Sequence, residues 1–78
     1  MKTLKIILPK VEDVRNFVNT VSRFDVDMDL RSGRYVVDAK SLLAIFSLDL
    51  MSPIEVVVYT DGEEADKVID EIKKYMIE

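Results

Sequence analysis

The sequence predicts an α+β fold: a two-layer sandwich of order βαββαβα, with three helices on one side of a sheet and solvent on the other. Three observations carry this reading. Four short runs alternate apolar and polar residues with the period of a strand, and longer segments between and after them repeat at three and four residues, as helices do. Asp25, Asp27 and Asp29 alternate with Val26, Met28 and Leu30, so one face of the sheet is expected to be acidic and open to water. Helices gathered on the other face complete a two-layer, split-βαβ arrangement.

Lys2 to Leu8 reads as the first strand, with Leu4, Ile6 and Leu8 on one face and Thr3, Lys5 and Ile7 on the other. Pro9 ends it, because proline has no amide to give to the ladder. Val11 to Phe24 reads as an amphipathic helix. Val11, Val14, Val18 and Val21 form its stripe, Phe17 and Phe24 lie beside it, and Glu12 and Asp13 suit the positive end of the first turn. Valine is a poor helix former, so packing must hold this helix. Asp25 to Arg31 and Arg34 to Asp38 form a hairpin around a turn at Ser32-Gly33.

Next comes Asp38 to Leu50, a stretch with more apolar surface than a short helix can bury. Ser41 can cap it, and Leu42, Leu43, Ile45, Phe46 and Leu48 cover well over half its circumference. A surface helix needs one stripe about 100° wide. Some of these side chains are therefore expected to face water or a partner. Asp49 to Pro53 is a loop, Ile54 to Thr60 a strand, and Asp61-Gly62 a turn. Glu63 to Met76 is the last helix, with Ala65, Val68, Ile69, Ile72 and Met76 inward. Glu63/Lys67 and Asp70/Lys74 are spaced as favourable pairs.

Residues 1–78 are read as one domain, short enough to bury only a little over ~60% of the unfolded surface. The chain has no cysteine and no histidine. That removes disulfides, thiolate metal sites, the commonest metal ligand and the commonest general base. A net charge of -4 with dispersed basic residues argues against nucleic acid. No run approaches the ~18 apolar residues of a membrane span. Met1 to Leu8 alternates and stops at Pro9, unlike a signal peptide, so a cytoplasmic protein is expected. No metal site and no cofactor is expected either. Asp25, Asp27 and Asp29 start like a calcium loop, but the sixth and twelfth positions hold Leu30 and Val36 instead of glycine and glutamate. No serine has a histidine base, and no glycine-rich phosphate loop exists, so an enzyme is not expected.

Ser41 has two readings. As a helix cap its hydroxyl accepts an amide hydrogen bond worth about 1 kcal/mol. As a phosphorylation site it would place about two negative charges beside exposed apolar residues and meet free amides at the helix start. The residues alone favour the cap.

The sequence resembles HPr, the histidine-containing phosphocarrier of the bacterial sugar phosphotransferase system. The most specific match is Lys40-Ser41-Leu42-Leu43-Ala44-Ile45-Phe46-Ser47-Leu48: lysine-serine, apolar pair, small residue, apolar pair, serine, leucine. Phe17 to Phe24 is similar to the end of that family's first helix, and Asp61 to Ala65 to the turn before its last. The resemblance implies an open-faced β-sandwich with a four-stranded antiparallel sheet and three helices on one face. It also implies a phosphohistidine site at the start of the first helix. Here Lys10 takes the histidine position, with Val11, Glu12 and Asp13 where the family has alanine, arginine and proline. Lys10, Glu12 and Asp13 thus read as a degenerate site without phosphocarrier activity.

The family's second behaviour is regulatory. In some bacteria a dedicated kinase phosphorylates the serine matching Ser41. The product binds a transcriptional repressor and brings about catabolite repression, and one known HPr-like branch keeps the serine without the histidine. The resemblance therefore implies a noncatalytic regulatory or docking protein, with Ser41 as regulatory site and Leu42, Leu43 and Phe46 as docking positions. A serine kinase and a transcriptional regulator are the partners it implies, for a monomer or weak homodimer. Ala44 and Asp49 stand where the family usually has glycine. The alternative reading is a small-ligand-binding or oligomerisation module of split-βαβ type, pairing through its apolar helix or a sheet edge, with no phosphotransferase role.

Overall fold

The computed structural model describes residues 1–77. Strands β1 (Lys2–Ile6), β2 (Met28–Ser32), β3 (Tyr35–Asp38) and β4 (Ile54–Val58) form one sheet in the order β1-β4-β2-β3. Every neighbouring pair is antiparallel. Helices α1 (Val11–Val21), α2 (Leu42–Ile45) and α3 (Gly62–Ile72) complete the expected βαββαβα order, and a 3-10 turn at Lys73–Tyr75 follows α3. Among the described residues no helix is long and apolar enough to cross a membrane.

The core lies between the sheet and α1 and α3. Leu4 and Ile6 of β1, Met28 and Leu30 of β2, and Ile54, Val56 and Val58 of β4 face Val14, Phe17 and Val21 of α1 and Ala65, Val68 and Ile72 of α3. The buried stripe of α1 therefore runs through Phe17, which belongs to it and not beside it, and Val11 is exposed. The buried positions Val14, Phe17 and Val21 keep the three- and four-residue spacing of one helix face, and the chain leaves α1 at Ser22, before Phe24. At the other end α3 tightens into a 3-10 turn, in which residues three apart eclipse. Tyr75, not Met76, is thereby rotated inward, where its ring meets Phe17 edge to face at 5.9 Å and 72°.

The hairpin turn sits one residue later than expected, at Gly33-Arg34, with Ser32 paired to Tyr35. Gly33 has φ +60, which a residue with a Cβ adopts only with strain. Nothing lies within 4 Å of a Cβ built there, so the strain acts alone. Gly33→Ala is expected to cost about 1 kcal/mol, read as a lower urea midpoint with an unchanged slope.

The open face differs from the acidic one expected. Asp25 and Asp27 precede β2, and only Asp29 stands on the strand. A row of Lys5, Glu55 and Arg31 crosses β1, β4 and β2 with alternating sign, and Arg31 approaches Glu55 at 4.0 Å. Opposite charges on adjacent strands favour this register, though exposed pairs contribute less than about 1 kcal/mol. On α3 the ion pair is Asp70 with Lys73 at 2.9 Å, while Lys74 lies over the Tyr75 ring at 5.7 Å. The 3-10 turn brings the third residue closer than the fourth.

The two sheet edges are treated differently. Along β1, the Ile7 amide donates to the Tyr75 carbonyl (2.9 Å) and the Ile77 amide to the Lys5 carbonyl (3.1 Å), so the segment after α3 covers that edge. Among the described residues no strand pairs with the outer edge of β3, and only its end is occupied, where the Asp38 carbonyl accepts the Ser41 amide.

Candidate functional site

The strand-to-helix passage before α2 is built from short-range hydrogen bonds. The Asp38 carboxylate accepts the Lys40 amide at 2.9 Å, and the Asp38 carbonyl accepts the Ser41 amide at 3.1 Å. Lys40 turns inward, and its Nζ donates to the Phe24 carbonyl at 2.7 Å, tying the entry of α2 to the exit of α1. Ser41 is extended (φ -100, ψ 102), and its Oγ accepts the Ala44 amide at a long 3.4 Å. Ser41 is therefore the N-cap of α2.

The helix is shorter than its apolar run. α2 makes one turn, after which the Ser47 amide reaches the Ala44 carbonyl (3.1 Å) and the Leu48 amide the Ile45 carbonyl (3.0 Å). These three-residue bonds tighten the chain and divide its apolar residues sharply. Ile45 and Leu48 are buried, and Leu42 is half-buried against the core. Leu43 is 83% exposed and Phe46 39%. Met51, in the following loop, is 84% exposed. The excess apolar surface thus consists of Leu43, Phe46 and Met51, and Leu42 contributes only partly. Sequence reasoning missed Met51 because it follows the periodic segment. Its neighbour Leu50 is equally apolar and packs against the core, so the sequence alone does not single out Met51 as the exposed one. A single turn also brings little helix dipole, which accumulates over many aligned peptides.

The start of α1 is differently furnished. Lys10 is its N-cap, extended at φ -121 and ψ 150. The Asp13 carboxylate accepts the Lys10 amide at 3.2 Å, half of a capping box. Lys10 and Glu12 are exposed. Glu12 lines a shallow groove with Val11, Arg15, Asn16 and Asn19, whereas Asp13 lines another with Ile7, Pro9, Lys74, Tyr75 and Met76. Burial, and then the Asp13 charge, hold the Tyr75 phenol above its ordinary range. Lys10, Glu12 and Asp13 thus stand together on one turn, where the Asp13 carboxylate already accepts the Lys10 amide. An incoming anion would meet that charge.

A third cluster lies where Asp27, Asp29, Asp38, Lys40 and Tyr59 line a shallow pocket. The Tyr59 hydroxyl donates to the Asp29 carboxylate at 2.7 Å. This bond is the first cause that lifts the Tyr59 phenol above the ordinary value of 10.0. The neutral phenol is the favoured form in the fold. Its contribution to stability is present below the ordinary tyrosine pKa and is lost as pH rises through the higher folded value. Asp29→Ala is expected to return one of the three tyrosine transitions toward its ordinary position in a tyrosinate absorbance titration. An unchanged titration would contradict that bond. Among the described residues, no group of three or more Asp or Glu side chains is arranged to hold a metal ion.

An antiparallel sheet of order β1-β4-β2-β3 under three helices defines an open-faced α+β sandwich of split-βαβ type. The family model described as the HPr component phosphorylation site of the phosphotransferase system matches residues 13–78, most of the chain. This chain belongs to the HPr family. The matched stretch includes Asp13, Ser41 and all of α2, and leaves out Lys10 and Glu12. Solved structures of the family share the fold. HPr-C-His from Thermoanaerobacter tengcongensis aligns at TM-score 0.79 and 21% identity, over 95% of this chain and 89% of that one. A histidine-containing phosphocarrier protein from Mycoplasma aligns at TM-score 0.74 and 16% identity, over 94% and 89%. A phosphocarrier protein HPr from Bacillus anthracis strain Ames aligns at TM-score 0.71 and 23% identity, over 97% and 94%. At such identities these likenesses speak for the fold.

Proposed function

We propose that this chain is a noncatalytic HPr-like regulatory or docking protein of the cytoplasm, without histidine phosphocarrier activity. The observation that carries the proposal is the contrast between the two inherited surfaces. The chain has no histidine, and the start of α1 presents Lys10 with the carboxylates of Glu12 and Asp13. The α2 segment keeps the lysine-serine motif and exposes Leu43, Phe46 and Met51 beside it. An exposed apolar patch rimmed by polar residues is the usual mark of a protein-binding surface. Partners of this family are proteins of the sugar phosphotransferase system and its regulators, and the α2 surface is where one would dock. Phosphorylation of Ser41 would add about two charges next to Leu43 and so switch that docking without disturbing the sheet.

Two experiments test the proposal. A pull-down from an extract of the source cell compares the wild type with Phe46→Ala. Loss of one or more specific partners is expected, and equal recovery of every partner removes α2 from the role. Incubation with the family's serine kinase and ATP is expected to add one phosphate to the wild type and none to Ser41→Ala. An unchanged wild-type mass ends the phosphoswitch but leaves docking standing.

A further inference from the structure

We infer that β3 is a self-complementary edge through which two copies of this chain pair into a continuous eight-stranded sheet, a property independent of the regulatory reading. The backbone supplies the first argument. The Ala39 amide donates to the Met28 carbonyl at 3.0 Å, so in the alternating antiparallel ladder Val37 and Tyr35 also bond toward β2. Val36 then turns both of its backbone groups outward, and so does Asp38, whose carbonyl already accepts the Ser41 amide of the same chain at 3.1 Å. No segment among the described residues pairs with Val36 on that side. The β1 edge, by contrast, is closed by residues 75–77.

The side chains supply the second argument. Tyr35 is 64% and Val36 56% exposed, an apolar pair on an edge strand of four residues. Edge strands of folded proteins are ordinarily guarded by charge or cover. Here charges of opposite sign stand two residues to either side of Val36, Arg34 before it and Asp38 after it. An antiparallel pairing centred on Val36 places Val36 against the partner's Val36. Tyr35 then faces the partner's Val37, and Arg34 faces the partner's Asp38 at both ends. This register joins the outward-facing amide and carbonyl of Val36 to those of the partner's Val36. Parallel pairing would oppose arginine to arginine and aspartate to aspartate. Charge complementarity therefore selects one isologous arrangement, with a twofold axis through the Val36 pair.

A short edge buries little area, so the association is weak, with Kd in the range of about 0.1–1 mM. Sedimentation of the wild type from about 10 µM to about 1 mM is expected to show the mass rising toward twice that of the chain. Amide exchange at Val36 is expected to slow over the same range. Because residue 36 faces itself, Val36→Lys and Val36→Glu are each expected to stay monomeric, and their equimolar mixture to associate. Both substitutions lie at an exposed position, and circular dichroism checks that each variant folds. A wild type that is monomeric throughout overturns the proposal. So does a dimer that survives Val36→Lys, or a mixture that fails to associate.

Discussion

Replacing Phe17 with alanine is expected to remove about 3–5 kcal/mol, the usual cost of deleting a fully buried aromatic ring. Phe17 has no exposed surface. It stands at the centre of the α1 stripe, between Val14 and Val21, and carries the edge-to-face contact with Tyr75. The loss therefore includes the ring's own transfer energy, the cavity it leaves, and the aromatic pair that fastens the 3-10 turn after α3. A small domain holds roughly 0.05–0.15 kcal/mol per residue. Phe17→Ala should thus consume a large share of the total and lower the melting temperature by more than about 12 °C. Calorimetry decides it; a shift of a few degrees would mean that Phe17 is not the keystone of the helix layer.

The second large effect separates the two sides of the α2 segment. Ile45 is fully buried, and Ile45→Ala is expected to cost about 2–5 kcal/mol. Leu43 and Met51 point to water, and Leu43→Ala or Met51→Ala should lie within about 0.5 kcal/mol of the wild type. Denaturant titration of the three variants measures the contrast. It bears on function as well as on folding. Ile45 and Leu48 anchor a short, tight turn, and that anchoring is what holds Leu43 and Phe46 out in place. If Leu43→Ala proved as costly as Ile45→Ala, the outward surface would be part of the core and unavailable for docking.

Much of this architecture can be read from residue patterns, because strand and helix periods act locally. The alternation of Val26, Met28 and Leu30 marks the inner face even though the regular strand begins only at Met28. Gly33 and Gly62, both at positive φ, mark their turns through backbone chemistry alone, whereas β1 ends at Ile6, two residues short of the Leu8 that Pro9 suggests. Other features depend on contacts distant in sequence. Tyr75 enters the core only because α3 tightens after Ile72 and because Phe17, far away in the chain, offers a ring to meet it. The mixed-charge row on the open sheet depends on Lys5, Glu55 and Arg31 coming into register across three strands. At α2 the excess of apolar residues is evident from composition. Which of them turn outward depends on how the segment packs on the rest of the fold: Leu42 lies against the core, while Leu43, Phe46 and Met51 are exposed. The capping role of Ser41 is legible because caps are local, whereas Asp13 is read only as a first-turn carboxylate and its bond to the Lys10 amide emerges in the fold. The tie from Lys40 to the Phe24 carbonyl spans two elements and is not legible.

We propose that this member of the HPr family presents a docking surface at α2 and carries no phosphoryl group on α1. Incubation with phosphoenolpyruvate and the first enzyme of the phosphotransferase relay tests it directly, with a histidine-bearing HPr in the same tube as control. The control should gain a phosphoryl group while the mass of this chain stays unchanged. A stable phosphoryl adduct on this chain, at Lys10 or elsewhere, would contradict the account.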